Sequence, residues 1–236
     1  MEQALLRTGL NGSALVGLLT QLALIDPPTA APTFVEGMGR WLGWKEAIPL
    51  SAVLQQAVPG AVATVSAARA SNPTGDANAD AWGQELSRVQ AALTLAMGQD
   101  GHTAREDGHD FLPFRRHCVG LQQNMDSSLS PLREQLRANL ARRSPALARL
   151  AALDAVLAQA LAPREQALLA LLPVLLEKHF LRLRPQQPPG AAAASPTAPH
   201  PPWLDRFRHD MRQLLLAELD LRLQPSLGLL ATLRSA

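Results

Sequence analysis

Phe114, Cys118, Leu121, Met125, Leu129, Leu132, Leu136 and Leu140 recur at spacings of three and four through the middle of the chain. At 100° per residue they fall within an arc of about 100°, which predicts one amphipathic helix, or two collinear ones, about 40 Å long. Ser130-Pro131 inside this run has the chemistry of a cap followed by a first-turn proline, so a kink or restart is expected there. Ser144-Pro145 repeats that signal and opens a helix with Leu147, Leu150, Leu153, Leu157 and Leu161 on one side. Pro163 is expected to begin the next, where Leu168, Leu169, Leu171, Leu172, Leu175 and Leu176 cover most of the circumference. A helix apolar nearly all round belongs in the middle of a bundle. His179 projects into that apolar arc and reads as a satisfied core or edge histidine rather than a catalytic base.

Upstream the elements are shorter. Ser13 can cap a helix carrying Leu15, Leu18, Leu19, Leu22 and Ile25, stopped by Asp26-Pro27-Pro28. Thr33 can cap a second, with Phe34, Met38, Trp41 and Leu42 as its stripe, and Trp44–Gln56 supplies a third around Pro49. A further helix is expected from about Ala81 to Met97 (Trp82, Leu86, Val89, Leu93). At the other end, Trp203–Gln224 places Trp203, Leu204, Phe207, Met211, Leu214, Leu215, Leu219 and Leu221 on one broad face, with Pro225 as its expected stop. Glu218 and Arg222 fall inside that face and, at i and i+4, can pair with each other. Exposed pairs being the common case, a solvated helix end is the expected reading, ahead of a buried pair or one that fixes the register of a docked helix.

Two stretches break the periodicity. Ala57–Asp80 is rich in Ala, Ser, Asn, Gly and Pro, and Pro185–Pro202 is low-complexity with seven prolines, so both read as linkers. The chain divides accordingly into an N-terminal helical segment (1–57), a linker (58–80), a central helical bundle (81–184), a Pro/Ala-rich linker (185–202) and a C-terminal helix (203–236). Composition agrees: Leu and Ala make up over a third of the residues, Tyr is absent, and β-branched and aromatic residues are too few for a large sheet. The expected fold is all-α, an antiparallel helical bundle with a long helical hairpin, short N-terminal helices and a linker-tethered C-terminal helix.

The uncharged run Ala47–Ala68 is interrupted by Pro49, Gln55, Gln56, Pro59 and Gly60, and the apolar Gln166–Leu176 is short against the roughly 20 residues a spanning helix needs. No membrane insertion is expected. Arg7 followed by Ala14–Ile25 imitates a signal peptide, but Thr20 and Gln21 interrupt it and an amphipathic helix is the better reading. The single cysteine, Cys118, excludes an intramolecular disulfide and fits a reducing cytoplasm.

Candidate chemistry is sparse. His102, Glu106, Asp107, His109 and Asp110 lie close together beside His117 and Cys118, but with no zinc or calcium spacing, so the stretch reads as a solvated acidic loop and no metal or cofactor is expected. Neither phosphate loop nor nucleophile elbow occurs, and an enzyme is not expected. Arg133, Arg137, Arg142 and Arg143, with Arg115, Arg116 and Arg149, gather around the Pro-marked hairpin and form a surface that can meet phosphate or an acidic partner. Against nucleic acid stand the missing stacking aromatics, the dipole role of Arg142 and Arg143 at a helix end, and the Arg stems that cover a leucine stripe. The leading expectation is a non-enzymatic interaction protein with a protein partner or self-association. The candidate contacts are Phe207, Met211, Leu215, Glu218 and Arg222 on the C-terminal helix, which can dock on its own bundle or on a neighbour, and the four hairpin arginines. A nucleic-acid-associated protein using the Arg-rich hairpin is the alternative, and a metal-dependent enzyme at the acidic loop comes third.

Leu6-Arg7-Thr8-Gly9-Leu10, Trp41-Leu42-Gly43-Trp44, Glu218-Leu219-Asp220-Leu221-Arg222-Leu223-Gln224-Pro225 and the segment Leu132–Leu183, with Ser144-Pro145 and Leu153-Asp154, occur together. In these the chain resembles a family of uncharacterised proteobacterial proteins, over nearly its full length outside the two linkers. The resemblance implies no activity and no catalytic residue. It implies a gene neighbourhood that includes envelope proteins of the OmpA/MotB type, and hence a cytoplasmic accessory role in an envelope assembly.

Overall fold

The computed structural model describes residues 14–26, 44–55, 73–99, 110–184 and 201–235, and among them there is no strand. The helices are α1 (Ala14–Gln21), α2 (Trp44–Gln55), α3 (Pro73–Gly98), α4 (Leu112–Arg143), α5 (Pro145–Leu169), α6 (Leu172–Leu183) and α7 (Pro202–Ser235). The all-α expectation holds. The expected helix at Phe34–Leu42, the tether and most of the acidic loop lie outside the described residues.

Helix α4 follows its apolar repeat closely: Phe114, Cys118, Leu121, Met125, Leu129, Leu132, Leu136 and Leu140 are all buried. Asp110 accepts the Leu112 N–H at 3.1 Å. At the next start Ser144 Oγ accepts the Leu147 N–H at 3.2 Å, the cap that Ser144-Pro145 predicts.

The prolines correct the sequence expectations. Pro163 and Pro225 lie inside helices, where a new start and a stop were expected, and at Pro131, where a kink or restart was expected, α4 runs on without a restart. Each removes one backbone bond, but the flanking apolar positions keep their phase. Leu129 and Leu132 are buried around exposed Pro131, and Leu223, Ser226, Leu229 and Leu230 around half-exposed Pro225. The break expected at Pro163 falls instead after Leu169, and Pro173 occupies the first turn of α6. Helix α3 likewise begins at Pro73, eight residues ahead of Ala81, because proline suits a first turn and Ala79 finds a buried place.

The described residues form two compact units. The first comprises residues 14–26, 92–99, 110–126, 165–184 and 201–221; the second comprises 44–55, 73–91, 127–164 and 222–235. An aromatic cluster sits in the first. Phe207 packs edge-on against Phe114 and Phe180 (centroids 5.3 and 5.1 Å), and Phe180 against Trp203 at 5.3 Å. Around it the apolar α6 is buried at Leu172, Leu175, Leu176, Phe180 and Leu183, as its all-round pattern predicts. The second unit has its own core of Ala79, Leu136, Leu140, Ala151, Leu229 and Leu233, with Trp82 and Leu147 packed against it.

By length and composition alone, the helical run Pro145–Leu183 is long and apolar enough to cross a membrane. The charges within its first half are bonded to protein: Asp154 to two arginines of α4, and Arg149 to backbone carbonyls of α2.

Candidate functional site

In the first unit, among the described residues, two polar contacts centre on a buried ionisable side chain, His179 and Glu218. His179 is buried on α6, and its Nε2 lies 2.8 Å from Asp210 Oδ2 on α7. Arg182, one turn along α6, places Nη2 2.9 Å from His179 Nδ1. A guanidinium has donors and no acceptor, so Nδ1 must present a bare lone pair and Nε2 must carry the proton that Asp210 accepts. Burial pushes the ring below its ordinary histidine pKa; Asp210 opposes this, while Arg182 and Arg206 add to it. The geometry and the electrostatics both give a neutral imidazole.

The same Arg182 holds the end of α1. It donates to the carbonyl of Leu22 and, at 3.2 Å, to that of Ala23. Helix α1 closes there in a paired turn, Ala23 N–H on Thr20 O and Leu24 N–H on Leu19 O, both 2.9 Å. That motif places its closing residue in the left-handed region, where glycine is usual, and Ala23 has φ 51°.

The second place is the contact between Gln122 of α4 and Glu218 of α7. Gln122 Nε2 donates to Glu218 Oε2 at 2.9 Å and to the carbonyl of Leu169, the last residue of α5, at 3.1 Å. Glu218 has no exposure, so the expectation of a solvated helix end is corrected: an amide from another helix supplies a partner for the carboxylate inside the protein. Cys118 is equally buried. Its burial, with the Glu218 charge adding, pushes the thiol up to about 12. A thiol held protonated in this way is inert.

In the second unit Asp154 of α5 gathers two arginines of α4. Arg133 meets it with two bonds (2.9 and 2.6 Å) and Arg137 with one (2.6 Å). Burial raises the Asp154 carboxyl, but the hydrogen bonds and charges of the two guanidinium groups outweigh it and hold the pKa below its ordinary value. Arg149, also on α5, donates to Val53 O at 3.2 Å and to Leu54 O, and so fixes the end of α2. A cavity of about 530 Å³ is lined in this unit by Asn78, Trp82, Glu85, Ser127, Ser128 and Gln135 among others.

A family model described as "Protein of unknown function (DUF3348)" matches residues 1–235. The chain belongs to this family. No curated protein and no solved structure matches it.

The residues singled out in this DUF3348 chain separate by environment. Phe207, Met211, Leu215 and Glu218 are buried in the first unit, so of the two docking options for the C-terminal helix the structure has the one within its own bundle. Arg222 is half-exposed. Arg133 and Arg137 are brought together, on Asp154; Arg142 is exposed at the end of α4, and Arg143 beside it is half-exposed. Among the described residues no three metal-capable side chains converge, and His102, Glu106, Asp107 and His109 lie outside them. Sequence reading missed Asp210, Gln122 and Asp154 as partners. Asp154 alone carried a visible signal, as the one acid in the leucine-rich stretch between Pro145 and Pro163.

Proposed function

We propose that this is a non-enzymatic helical interaction protein that takes a protein partner on the apolar surface of α5. The carrying observation is the mismatch between the composition of α5 and its burial. Pro145–Leu183 is apolar enough to span a bilayer, yet only 6% of its most apolar window is buried. Leu150 is exposed, as are Ile48 and Leu54 on α2, whose end Arg149 pins to α5. Between Pro145 and Pro163 the charges are Arg149 and Asp154, both bonded inside the unit, so the side offered to a partner is uncharged. Such a surface suits another apolar helix. It does not suit nucleic acid, and Asp154 offsets one of the two charges of Arg133 and Arg137. A cytoplasmic accessory to an envelope assembly is the finer form of this reading, and partner identification in the native host addresses it.

The experiment compares the full chain with its Leu150→Glu variant by light scattering and by co-purification from the native host with mass spectrometry. The expected result is a complex, with a second protein or a second copy, that the variant loses while keeping its thermal stability, and that survives between about 50 and 500 mM salt. A monomer whose retained proteins are unchanged by the substitution overturns the proposal.

A further inference from the structure

We propose that docking of α1 in its unit is controlled by one proton: uptake at His179 Nδ1 displaces Arg182, which lets go of the Leu22 and Ala23 carbonyls and frees α1 in mildly acid solution. The chemistry follows from the clasp. Nε2 already bears the proton given to Asp210, so a second proton has only Nδ1 to occupy. Adding it sets an N–H of the ring against an N–H of Arg182 across what is now a 2.9 Å hydrogen bond, and sets two positive charges together. Asp210 gains an ion pair with the charged ring and keeps it in place. Arg182 is half-exposed and is the member free to swing outward.

What Arg182 leaves behind is a turn held in an unfavourable conformation. Ala23 sits at φ 51°, a conformation that is unfavourable for alanine and persists only while neighbouring groups enforce it. Without the two bonds from Arg182 that enforcement weakens, and α1, eight residues long, is too short to persist as a helix by itself. Its release uncovers Leu15, Val16 and Leu19, now buried.

Among the described residues, the charged groups facing the ring are Asp210 and Arg206 from α7 and Arg182 from α6; the turn after α1 contributes carbonyls through Arg182. Asp210 favours the charged ring, while burial and the two arginines oppose it, and the opposition prevails. The docked state therefore holds fewer protons than the released state, whose histidine, relieved of Arg182, titrates nearer the ordinary value of about 6.5. By linkage, docking is complete above that value and is lost as the pH falls below it.

The test uses the full chain with a fluorophore on an introduced cysteine, Gly17→Cys on the exposed side of α1, and a reference, Gly120→Cys on α4; both sites face open space, and buried Cys118 stays unlabelled. Anisotropy is followed from about pH 8 to pH 5. The Gly17 label is expected to become mobile in a one-proton transition below about pH 6.5 while the Gly120 label stays held. His179→Asn, whose amide oxygen stands in for Nδ1 and takes no proton, abolishes the transition. Arg182→Gln frees the label at every pH, and it decides the matter if the histidine variant does not fold. A Gly17 label that stays held at the acid end, both labels loosening together, or a wild-type transition in Arg182→Gln overturns the proposal.

Discussion

Gln122 and Glu218 stand 96 residues apart in the chain and 2.9 Å apart in space, the amide donating to a carboxylate that has no exposure to solvent. The same nitrogen serves the carbonyl that α5 frees at its last residue. Gln122→Ala removes both bonds, and the lost donor is expected to lower unfolding free energy by about 1–3 kcal/mol. Urea denaturation measures it, and Gln122→Glu, which sets carboxylate against carboxylate, is expected to cost more. An unmoved midpoint for Gln122→Ala counts against a structural role for the contact.

Asp154 ties Arg133 and Arg137 with side chains about one-fifth exposed. Asp154→Asn is expected to destabilise the chain by about 1–3 kcal/mol at neutral pH, short of a fully buried pair because water partly screens the cluster. The folded carboxyl titrates below its ordinary value, so its contribution is full above about pH 4 and is lost as the pH drops further. The difference between the urea midpoints of wild type and variant should narrow as the pH is lowered from about 4 to about 2.5. A gap that stays constant across that range would contradict the assignment.

Where partners are local, the sequence was legible. The eight positions of α4 are buried in the order their spacing predicts, and Ser144 caps as its neighbour Pro145 implies. Pro163 misled because it faces outward, where a lost bond costs the packing little. The candidate sites were hidden for a different reason. His179 reads as an apolar-face histidine, but the atom that fixes its tautomer comes from Arg182 and the one that accepts its proton from Asp210, 31 residues away. Glu218 read locally has Arg222 for a partner, and periodicity carries no information about an amide on another helix.

Ala23 closes α1 at positive φ, a position glycine fills without a Cβ penalty. Ala23→Gly is expected to raise unfolding free energy by about 0.5–1 kcal/mol, less than the full relief because glycine also loosens the unfolded chain. By weakening the strain that favours release, it should also move the acid transition of α1 to lower pH. A destabilised Ala23→Gly protein would refute the strain.

Cys118 has no exposure and a thiol pushed up to about 12. The folded protein is expected not to react with a thiol-specific reagent near pH 8, and to release one equivalent when unfolded in guanidinium. Rapid modification of the native chain would show that this part of the first unit opens readily.

Because α7 runs through Pro225 to Ser235, its last turns are interior material: Leu229 and Leu233 fill the same core as Leu136 and Leu140. Anyone trimming the protein at that proline, as its sequence invites, would be drawing a plug from the second unit and leaving a leucine-lined void. Tags and fusions at this end therefore belong beyond Ser235, joined by a spacer that lets the final turn stay seated.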